Sequence, residues 1–213
     1  MAIPANFDGQ TPVIDSKDVV FIFVNQQSGT LQSVITPTVP VLRQRIAALS
    51  KVASLSDIPV IACATKVDSL MGPIIPEISR NAPHAHTFFY DDELMVWDNK
   101  EFVELVKSTG KKQIVIAGGS VSVALVNAAL RAVSDGYQVF AVLDASGANT
   151  ELERQIAVLR LIQVGVVPIG SSAVLCEVQK MRNVDHEMDL YDNLRSISPA
   201  YQLLYEAKCG KNS

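Results

Sequence analysis

The sequence predicts one α/β domain, a doubly wound parallel β-sheet with helices on both faces. Short β-branched runs alternate with helical patterns, no Pro- or Ser-rich linker divides the chain, and a strand, a glycine turn and a helix follow one another in mid-chain. The 213 residues, 48% of them hydrophobic, are enough to bury a sizeable core. We assign the domain to residues 1–213, with its core at about 15–182 and a C-terminal tail at 183–213.

Five apolar runs are predicted to form the strands of the sheet. They are residues 19–24, 59–64, 114–117, 139–143 and 166–169. The helical patterns between them predict right-handed crossovers that join parallel strands. A sheet of this kind has its ligand crevice at the carboxyl ends of the strands, where Asn25, loop 65–80, residues 118–124 and Asp144 fall.

Three of the predicted helices have clear signals. The first has apolar residues at steps of three and four, which should pack on the sheet: Val39, Leu42, Ile46, Leu49 and Ala53. Asn99 precedes a helix that Gly110 closes, and Thr150 with Glu153 forms a capping box before another. The apolar positions of this last helix are Ile156, Leu159 and Ile162.

Composition limits the classes of partner. Eighteen basic and 22 acidic side chains give a net charge of −4, and no block of basic residues is present, so binding to nucleic acid is disfavoured. No apolar run is long enough to span a membrane. Cys63, Cys176 and Cys209 have neither metal-ligand spacing nor an even disulfide framework. The first residues show no signal or transit pattern, so we expect a soluble intracellular protein, cytoplasmic, with a mitochondrial location left open.

Gly118 and Gly119 mark a strand-to-helix corner. Two adjacent glycines permit backbone conformations closed to other residues, and the first turn of the next helix leaves N–H groups unpaired. We therefore expect this corner to hold an anion or an oxyanion. Ser120 and Ser122 are interpreted as N-cap and turn serines, because Ser122 should point away from Ala124 around the helix.

Several of these segments resemble the isochorismatase-like cysteine hydrolases, from about residue 19 to 178. Residues 21–27, Phe-Ile-Phe-Val-Asn-Gln-Gln, are similar to the family's first strand and D-x-Q motif, and residues 118–124 to its nucleophile turn. Residues 144–147, Asp-Ala-Ser-Gly, fit its D-A-S/C-S/G corner. Residues 97–99 resemble the bacterial octameric subgroup, and residues 85–88 the eukaryotic isochorismatase-domain proteins.

The resemblance implies chemistry by an aspartate, a lysine and a cysteine. The carboxylate takes the thiol proton, the ammonium holds charge, and the thiolate attacks a carbonyl beside backbone N–H donors. Position by position, these roles fall on Asn25, His86 and Ala124. Asparagine offers no basic carboxylate, histidine a conditional charge and alanine no nucleophile. The resemblance thus implies a protein that is silent by the family mechanism, and a cis peptide at Gly119–Ser120.

Two classes of function stay open. In the first, the protein binds a small amide, carboxylate or other anion, or acts through assembly. The ligand-binding candidates are Asn25, Gln27, Gly118, Gly119, Ser120 and Ala124. In the second, it is a hydrolase that uses His86 or a turn serine, or a nuclease, since some eukaryotic relatives carry a ribonuclease label.

Apolar segments predict a homo-oligomer, a dimer or larger. Residues 88–90, Phe-Phe-Tyr, are interpreted as a lid or subunit contact, and the tail around Tyr201 and Tyr205 adds apolar surface.

The remaining candidates have structural interpretations. Cys63 and Cys176 should be buried and inert, and Lys66 with Asp68 a solvated loop pair. His84 and His86 form half of a metal site without a third ligand nearby, so neither a metal nor a cofactor is predicted. Asp144 should bind backbone N–H groups at a strand end.

Overall fold

The structure is a computed structural model that describes residues 12–66, 70–91, 93–179 and 187–209. The strands are β1 (Val19–Val24), β2 (Val60–Thr65), β3 (His86–Tyr90), β4 (Gln113–Gly118), β5 (Gln138–Val142) and β6 (Val167–Ile169). The helices are α1 (Val39–Leu55), α2 (Pro76–Asn81), α3 (Lys100–Ser108), α4 (Val126–Ser134), α5 (Glu151–Gln163), α6 (Ser171–Val178), α7 (Glu187–Ile197) and α8 (Pro199–Cys209). Short 3-10 turns lie at Thr30–Ser33, Val96–Asp98 and Leu143–Ala145, and a π-helical turn at Val121–Leu125.

The strands form one six-stranded sheet in the order β3-β2-β1-β4-β5-β6. Every neighbouring pair is parallel. The order reverses between β1 and β4, which pair along their whole length from Val19 opposite Gln113 to Val24 opposite Gly118. In open parallel sheets this switch point is where the ligand crevice lies.

The core lies on both faces of the sheet, because successive β1 residues point to opposite sides. Phe21 and Phe23 pack towards α1 and α6, whereas Ile22 and Val24 pack towards α3, α4 and α5. All six β1 residues are buried, as expected of a central strand covered by helices on both faces. The predicted fold class, a doubly wound parallel sheet, is confirmed.

Sequence-based prediction located five of the six strands within a residue or two of their observed ends, and missed β3. Residues 88–90, expected as a lid or subunit contact, belong to this edge strand, so the lid interpretation is wrong, whereas a subunit contact stays a prediction. The ring of Phe88 lies 5.5 Å from that of Phe102, and Tyr90 is buried. Strand β3 was missed because it lies at the edge of the sheet. His86, Thr87 and Phe89 are exposed there, so the segment lacks the continuous apolar run of the central strands.

The assignment of residues 183–213 to a tail is corrected by α7 and α8. Leu194 and Ile197 are buried in the same core cluster as α1, and the Asn193 amide donates to the Ala48 carbonyl at 2.9 Å. Tyr201 is partly buried against that cluster. The Tyr205 side chain lies outside the described residues. The core therefore extends at least to Ile197, beyond the predicted limit.

Candidate functional site

The candidate site lies where β1 and β4 end side by side. Asn25 follows β1 directly and has a φ of 52°, a left-handed conformation that asparagine tolerates better than most residues. Its N–H donates to the Cys63 carbonyl at 2.8 Å, which joins the turn to the neighbouring strand β2. The turn at Asn25 aims its side chain into the switch-point crevice.

The turn after β4 leads into a π-helical start. The Leu125 N–H donates to the Ser120 carbonyl at 3.0 Å, five residues back, and the Ser120 hydroxyl accepts from the Val123 N–H at 3.4 Å. Ser120 is thus the predicted N-cap. Such wide turns are rare in helices and frequently lie at functional sites. Here the wide turn carries Ala124.

The two glycines of this turn are required for space rather than for unusual dihedral angles. Neither Gly118 nor Gly119 has a positive φ, and the Gly119–Ser120 peptide is trans, so both expectations about this corner are wrong. A Cβ on Gly118 would lie 2.7 Å from the Leu125 nitrogen, and one on Gly119 would collide with the Asn25 carbonyl oxygen. The glycines let the β1 and β4 turns touch.

Hydrogen bonds from neighbouring segments occupy three of the corner's N–H groups. Gly118 donates to the Ser146 hydroxyl at 3.1 Å, Gly119 to the Val24 carbonyl at 2.8 Å and Val121 to the Gly147 carbonyl at 2.6 Å. The segment 144–147 therefore ties down the turn after β4. These three donors are not available to an anion, and anion binding by the rest of the corner stays a prediction.

Asn25 and Ala124 line one small cavity, together with Tyr90. The Tyr90 hydroxyl donates to Asn25 Oδ1 at 2.9 Å, and Ala124 is 8% exposed. The cavity measures about 20 Å³, and its lining includes Leu94, Val123 and Asn127. That volume holds about one water molecule.

Burial raises the pKa of the Tyr90 hydroxyl above its ordinary value, and the nearby Cys63 thiol adds to the shift. The hydrogen bond from Tyr90 to Asn25 acts in the opposite direction but does not cancel the effect of burial. The polar groups of Asn25 and Tyr90 are therefore both uncharged near neutral pH.

The structure does not bring His86 to this cavity. His86 begins β3 and pairs with Ile61, whereas Tyr90 ends the strand opposite Thr65. Since a strand rises about 3.3 Å per residue, four residues separate His86 from the crevice edge by roughly 13 Å. Tyr90 is the residue that sequence analysis missed. The run Thr87-Phe88-Phe89-Tyr90 is rich in residues that favour β-strands. Interpreting it as a strand would have placed Tyr90 at the edge of the crevice.

Gln27, a predicted ligand-binding residue, is fully buried and its side chain is saturated. Its amide nitrogen donates to the carbonyls of Thr65 at 3.0 Å and Gly72 at 2.6 Å. Its amide oxygen accepts from the Thr65 N–H at 3.2 Å and from the Thr65 hydroxyl at 3.1 Å. Gln27 therefore fastens the loop after β2 and has no hydrogen-bonding capacity left for a ligand.

Ser122 of the turn contacts Glu153 of the predicted capping box. The Ser122 hydroxyl makes a short hydrogen bond to Glu153 Oε1, and lies 3.4 Å from the Ser120 hydroxyl. Thr150 accepts from the Glu153 N–H at 3.1 Å, as predicted, but the Glu153 carboxylate reaches the Asn149 N–H at 2.8 Å rather than that of Thr150. Ser122 does not line the cavity beside Ala124.

Asp144 has the predicted structural role. Its carboxylate accepts from the Ser171 N–H and from the Ser171 hydroxyl, both at 2.8 Å, and lies 3.2 Å from the Arg45 guanidinium. The acid thus caps the start of α6 and joins it to α1.

The cysteine predictions have opposite outcomes. Cys63 is buried, and burial raises the pKa of its thiol well above the ordinary value, so it is inert as expected. Cys176 is exposed, because it points away from the buried face of α6, and its predicted burial is wrong. The Cys209 side chain lies outside the described residues.

The remaining charged candidates have local partners. Lys66 pairs with Asp91, while Asp68 lies outside the described residues. His84 contacts the Ile58 carbonyl at 2.9 Å through Nε2. Within the described ranges, no group of three His, Cys, Asp or Glu side chains could hold a metal ion. None of the helices described there is long and apolar enough to cross a bilayer.

Fold and site together define a parallel α/β domain with its crevice at the β1/β4 switch point and a glycine turn packed against it. The model of the isochorismatase domain matches residues 19–173, and the chain belongs to this family. It is 30% identical over 201 residues to the probable hydrolase YcaC of Escherichia coli K12, spanning 92% of this chain and 97% of that protein.

Two solved structures are similar over nearly the whole chain. YcaC from Pseudomonas aeruginosa, described with hexane-2,5-diol and covalent acrylamide, has a TM-score of 0.88 and 30% identity over 93% of this chain and 98% of that one. The E. coli YcaC structure, described as an octameric hydrolase of unknown specificity, has a TM-score of 0.89 and 29% identity over 94% and 98%.

Proposed function

We propose that this chain is an isochorismatase-family protein that does not run the family's cysteine hydrolysis and acts as a homo-oligomeric assembly. One observation carries the proposal: Ala124 faces Asn25 and Tyr90 across a cavity of about 20 Å³. The family reaction requires a nucleophile, a base to activate it and room for a carbonyl substrate. Alanine, a neutral amide and a neutral phenol supply neither of the first two groups.

The cavity volume favours assembly over small-molecule binding. Sites for small ligands usually measure about 300–1,000 Å³, more than ten times the space beside Ala124. An amide or carboxylate would have to displace Leu94 or Val123, both of which are exposed at the cavity wall. Homo-oligomerisation is supported by the octameric E. coli relative.

A hydrolase with a different apparatus is the second candidate, and the contact between Ser122 and Glu153 favours it. A carboxylate hydrogen-bonded to a hydroxyl is half of a nucleophile–base arrangement. Against it, Glu153 also accepts from the Asn149 N–H as part of the α5 cap, and Ser122 faces away from the crevice. The cap accounts for the geometry without catalysis.

The activity test uses nicotinamide, isochorismate and simple carboxamides with the purified oligomer. We expect no turnover above a buffer control, and the same result for Ser122→Ala. Hydrolysis that disappears in Ser122→Ala would establish the second candidate and overturn the proposal. A melting-temperature increase with millimolar amide or carboxylate that Tyr90→Phe abolishes would instead establish ligand binding in the crevice.

Acrylamide labelling followed by peptide mapping tests the nucleophile position directly. We expect the native protein to be modified at the exposed Cys176 and not within residues 118–128. The control variant Ala124→Cys supplies a thiol at the cavity wall and should gain a label there, slowly, because Asn25 cannot take its proton. Labelling of Ser120 or Ser122 in the native protein would contradict the proposal.

A further inference from the structure

A groove of about 500 Å³ lies between α3 and the carboxyl end of α4. Sites for small ligands usually measure about 300–1,000 Å³, a range that includes this groove and excludes the cavity beside Ala124. The groove and the cavity share no lining residue. We call the larger one the α3/α4 groove, and the charged residues in its lining are Asp98, Lys100, Glu104, Lys107, Arg131 and Asp135.

One side of α3 forms a wall of the α3/α4 groove. Its residues there, at the spacing of one helix face, are Lys100, Val103, Glu104 and Lys107. The wall therefore runs for two turns of the helix, about 10 Å. Val103 is half-buried within this wall, and the indole of Trp97, which is 5% exposed, also lines the groove. The lining thus combines apolar surface with charges of both signs.

Two ion pairs occupy four of the six charged side chains. Arg131 Nε lies 2.8 Å from Asp98 Oδ1, and a terminal nitrogen of the same guanidinium lies 2.7 Å from that oxygen. On α3, Lys107 Nζ lies 2.9 Å from Glu104 Oε1. Each pair is neutral as a unit, so a ligand gains little net electrostatic attraction from these four residues.

Lys100 and Asp135 leave the groove with one free charge of each sign. Lys100 is exposed, and its ammonium makes no hydrogen bond or ion pair with another described residue. Asp135 is exposed too, and its Oδ2 accepts from the Trp97 Nε1–H at 2.9 Å, while Oδ1 has no partner among the described residues. The bond from the buried indole fixes the carboxylate before a ligand arrives, which reduces the entropy lost on binding.

The two free charges act on different parts of the α3 wall. The pKa of Lys107 is raised by its hydrogen bond to Glu104 and, to a smaller extent, by the charge of Asp135. Lys100 lies two turns away from Lys107, at the start of the same helix. The groove therefore presents a cation and an anion that are separated from each other.

We propose that the α3/α4 groove binds a small zwitterion of the amino-acid and dipeptide class, with its carboxylate at Lys100 and its ammonium at Asp135. A ligand with a single charge would pair with one of these residues and leave the other to solvent. Charge complementarity with both residues therefore selects a zwitterion. An apolar side chain of the ligand would pack against Val103. This site is separate from the crevice and requires no nucleophile.

Isothermal titration calorimetry with three related dipeptides tests the two charges of the ligand separately. Glycyl-leucine carries both charges at pH 7, N-acetyl-glycyl-leucine carries only the carboxylate, and glycyl-leucinamide carries only the ammonium. We expect glycyl-leucine to bind the purified native protein saturably, with a dissociation constant of about 1 mM, because few contacts hold it at an open site. Each single-charge analogue should bind about fivefold more weakly, since it loses one exposed charge pair.

Lys100→Gln and Asp135→Asn assign each charge of the ligand to its residue. The asparagine side chain keeps an oxygen that accepts from the Trp97 N–H, so this wall retains its shape. In Lys100→Gln, glycyl-leucine should bind no more tightly than glycyl-leucinamide, because the carboxylate has lost its partner. In Asp135→Asn, it should bind no more tightly than the N-acetyl analogue. The matched controls Lys17→Gln and Asp57→Asn remove exposed charges elsewhere and should preserve both preferences.

Equal affinities for the three dipeptides, or no saturable binding at tens of millimolar, would overturn the zwitterion site. Preferences that remain unchanged in both groove variants would overturn it as well. Binding that persists in both groove variants but is lost in Tyr90→Phe would place the ligand in the crevice beside Ala124, and would contradict the proposed function too. Failure of the groove site alone would leave the proposed function unaffected.

Discussion

At the scale of single residues, the candidate site depends on the hydrogen bond between Tyr90 and Asn25. It joins the end of the edge strand β3 to the end of β1, 65 residues away in sequence, across the intervening strand β2. Both partners are neutral, and the third wall is the methyl group of Ala124. The result is an uncharged corner in a position where parallel α/β proteins usually hold a ligand.

The buried Tyr90 predicts a loss of stability in alkali. Its pKa is raised in the folded state, whereas an unfolded tyrosine loses its proton near pH 10. The stabilisation from the neutral hydroxyl is therefore complete below pH 10 and is lost as pH rises from there towards the folded pKa. Above pH 10, Tyr90→Phe should reduce the slope of unfolding free energy against pH by about 1.4 kcal/mol per unit.

Urea denaturation between pH 8 and 11 measures this slope. Cys63→Ala is the comparison, because the buried Cys63 thiol also has a raised pKa but its loss begins lower, near the unfolded value of about 8.5. Cys63→Ala should thus reduce the slope from about pH 8.5 upwards, and Tyr90→Phe only from about pH 10 upwards. An identical alkaline slope in native protein and Tyr90→Phe would contradict the assigned burial of the hydroxyl.

At the scale of elements, close backbone contact between the β1 and β4 turns organises the site. The Gly119 N–H donates to the Val24 carbonyl, and the Gly119 Cα faces the Asn25 carbonyl without room for a side chain. Ser146 and Gly147 then close the turn from the β5 side. Gly118 and Gly119 thus allow the ends of β1, β4 and β5 to pack closely together.

Gly119→Ala should be strongly destabilising because its methyl group would meet backbone rather than a movable side chain. We expect a loss of at least about 2 kcal/mol in the free energy of unfolding, measured by urea denaturation. Gly110→Asn is the control. Gly110 has a φ of +68° and open space around its Cα, so asparagine there should cost less than about 1 kcal/mol. Equal losses in both variants would contradict the steric role of Gly119.

At the scale of the whole molecule, the fold continues beyond the βα units into α7 and α8. Helix α7 lies against α1, and the buried amide of Asn193 binds the Ala48 carbonyl there. The two faces of the sheet thus support outer surfaces of different character. One face is covered by α1 and α7, and on the other α5 exposes Leu152, Ile156, Leu159 and Ile162.

Leu194→Ala tests whether α7 belongs to the cooperative unit. Leu194 is 2% exposed, so its truncation should cost about 2–5 kcal/mol in the free energy of unfolding. Leu204→Ala on α8, where the side chain is 65% exposed, should change stability by less than about 0.5 kcal/mol. Similar effects of the two variants in chemical denaturation would show that α7 unfolds apart from the core.

Prediction from sequence succeeded where a local pattern corresponds to a local structure. The periodicity of the central strands, the Asn99 and Thr150 caps, and the apolar positions of α1 all appear as expected. It was less successful at the site. The motif suggests that Gln27 binds a ligand, but the hydrogen-bonding groups of its side chain are occupied by Thr65 and Gly72. Such partners come from distant loops, which sequence periodicity does not record.

The sequence by itself determined the family, the parallel α/β fold and the absence of a nucleophilic side chain at position 124. Each follows from short motifs whose order and spacing the chain carries locally. Tertiary structure decided which residue faces Ala124, because the register of β3 against β2 brings Tyr90 to the crevice and leaves His86 at the opposite end of the strand. It also decided which side of α5 is buried, since that depends on the sheet beneath the helix and not on the helix sequence alone.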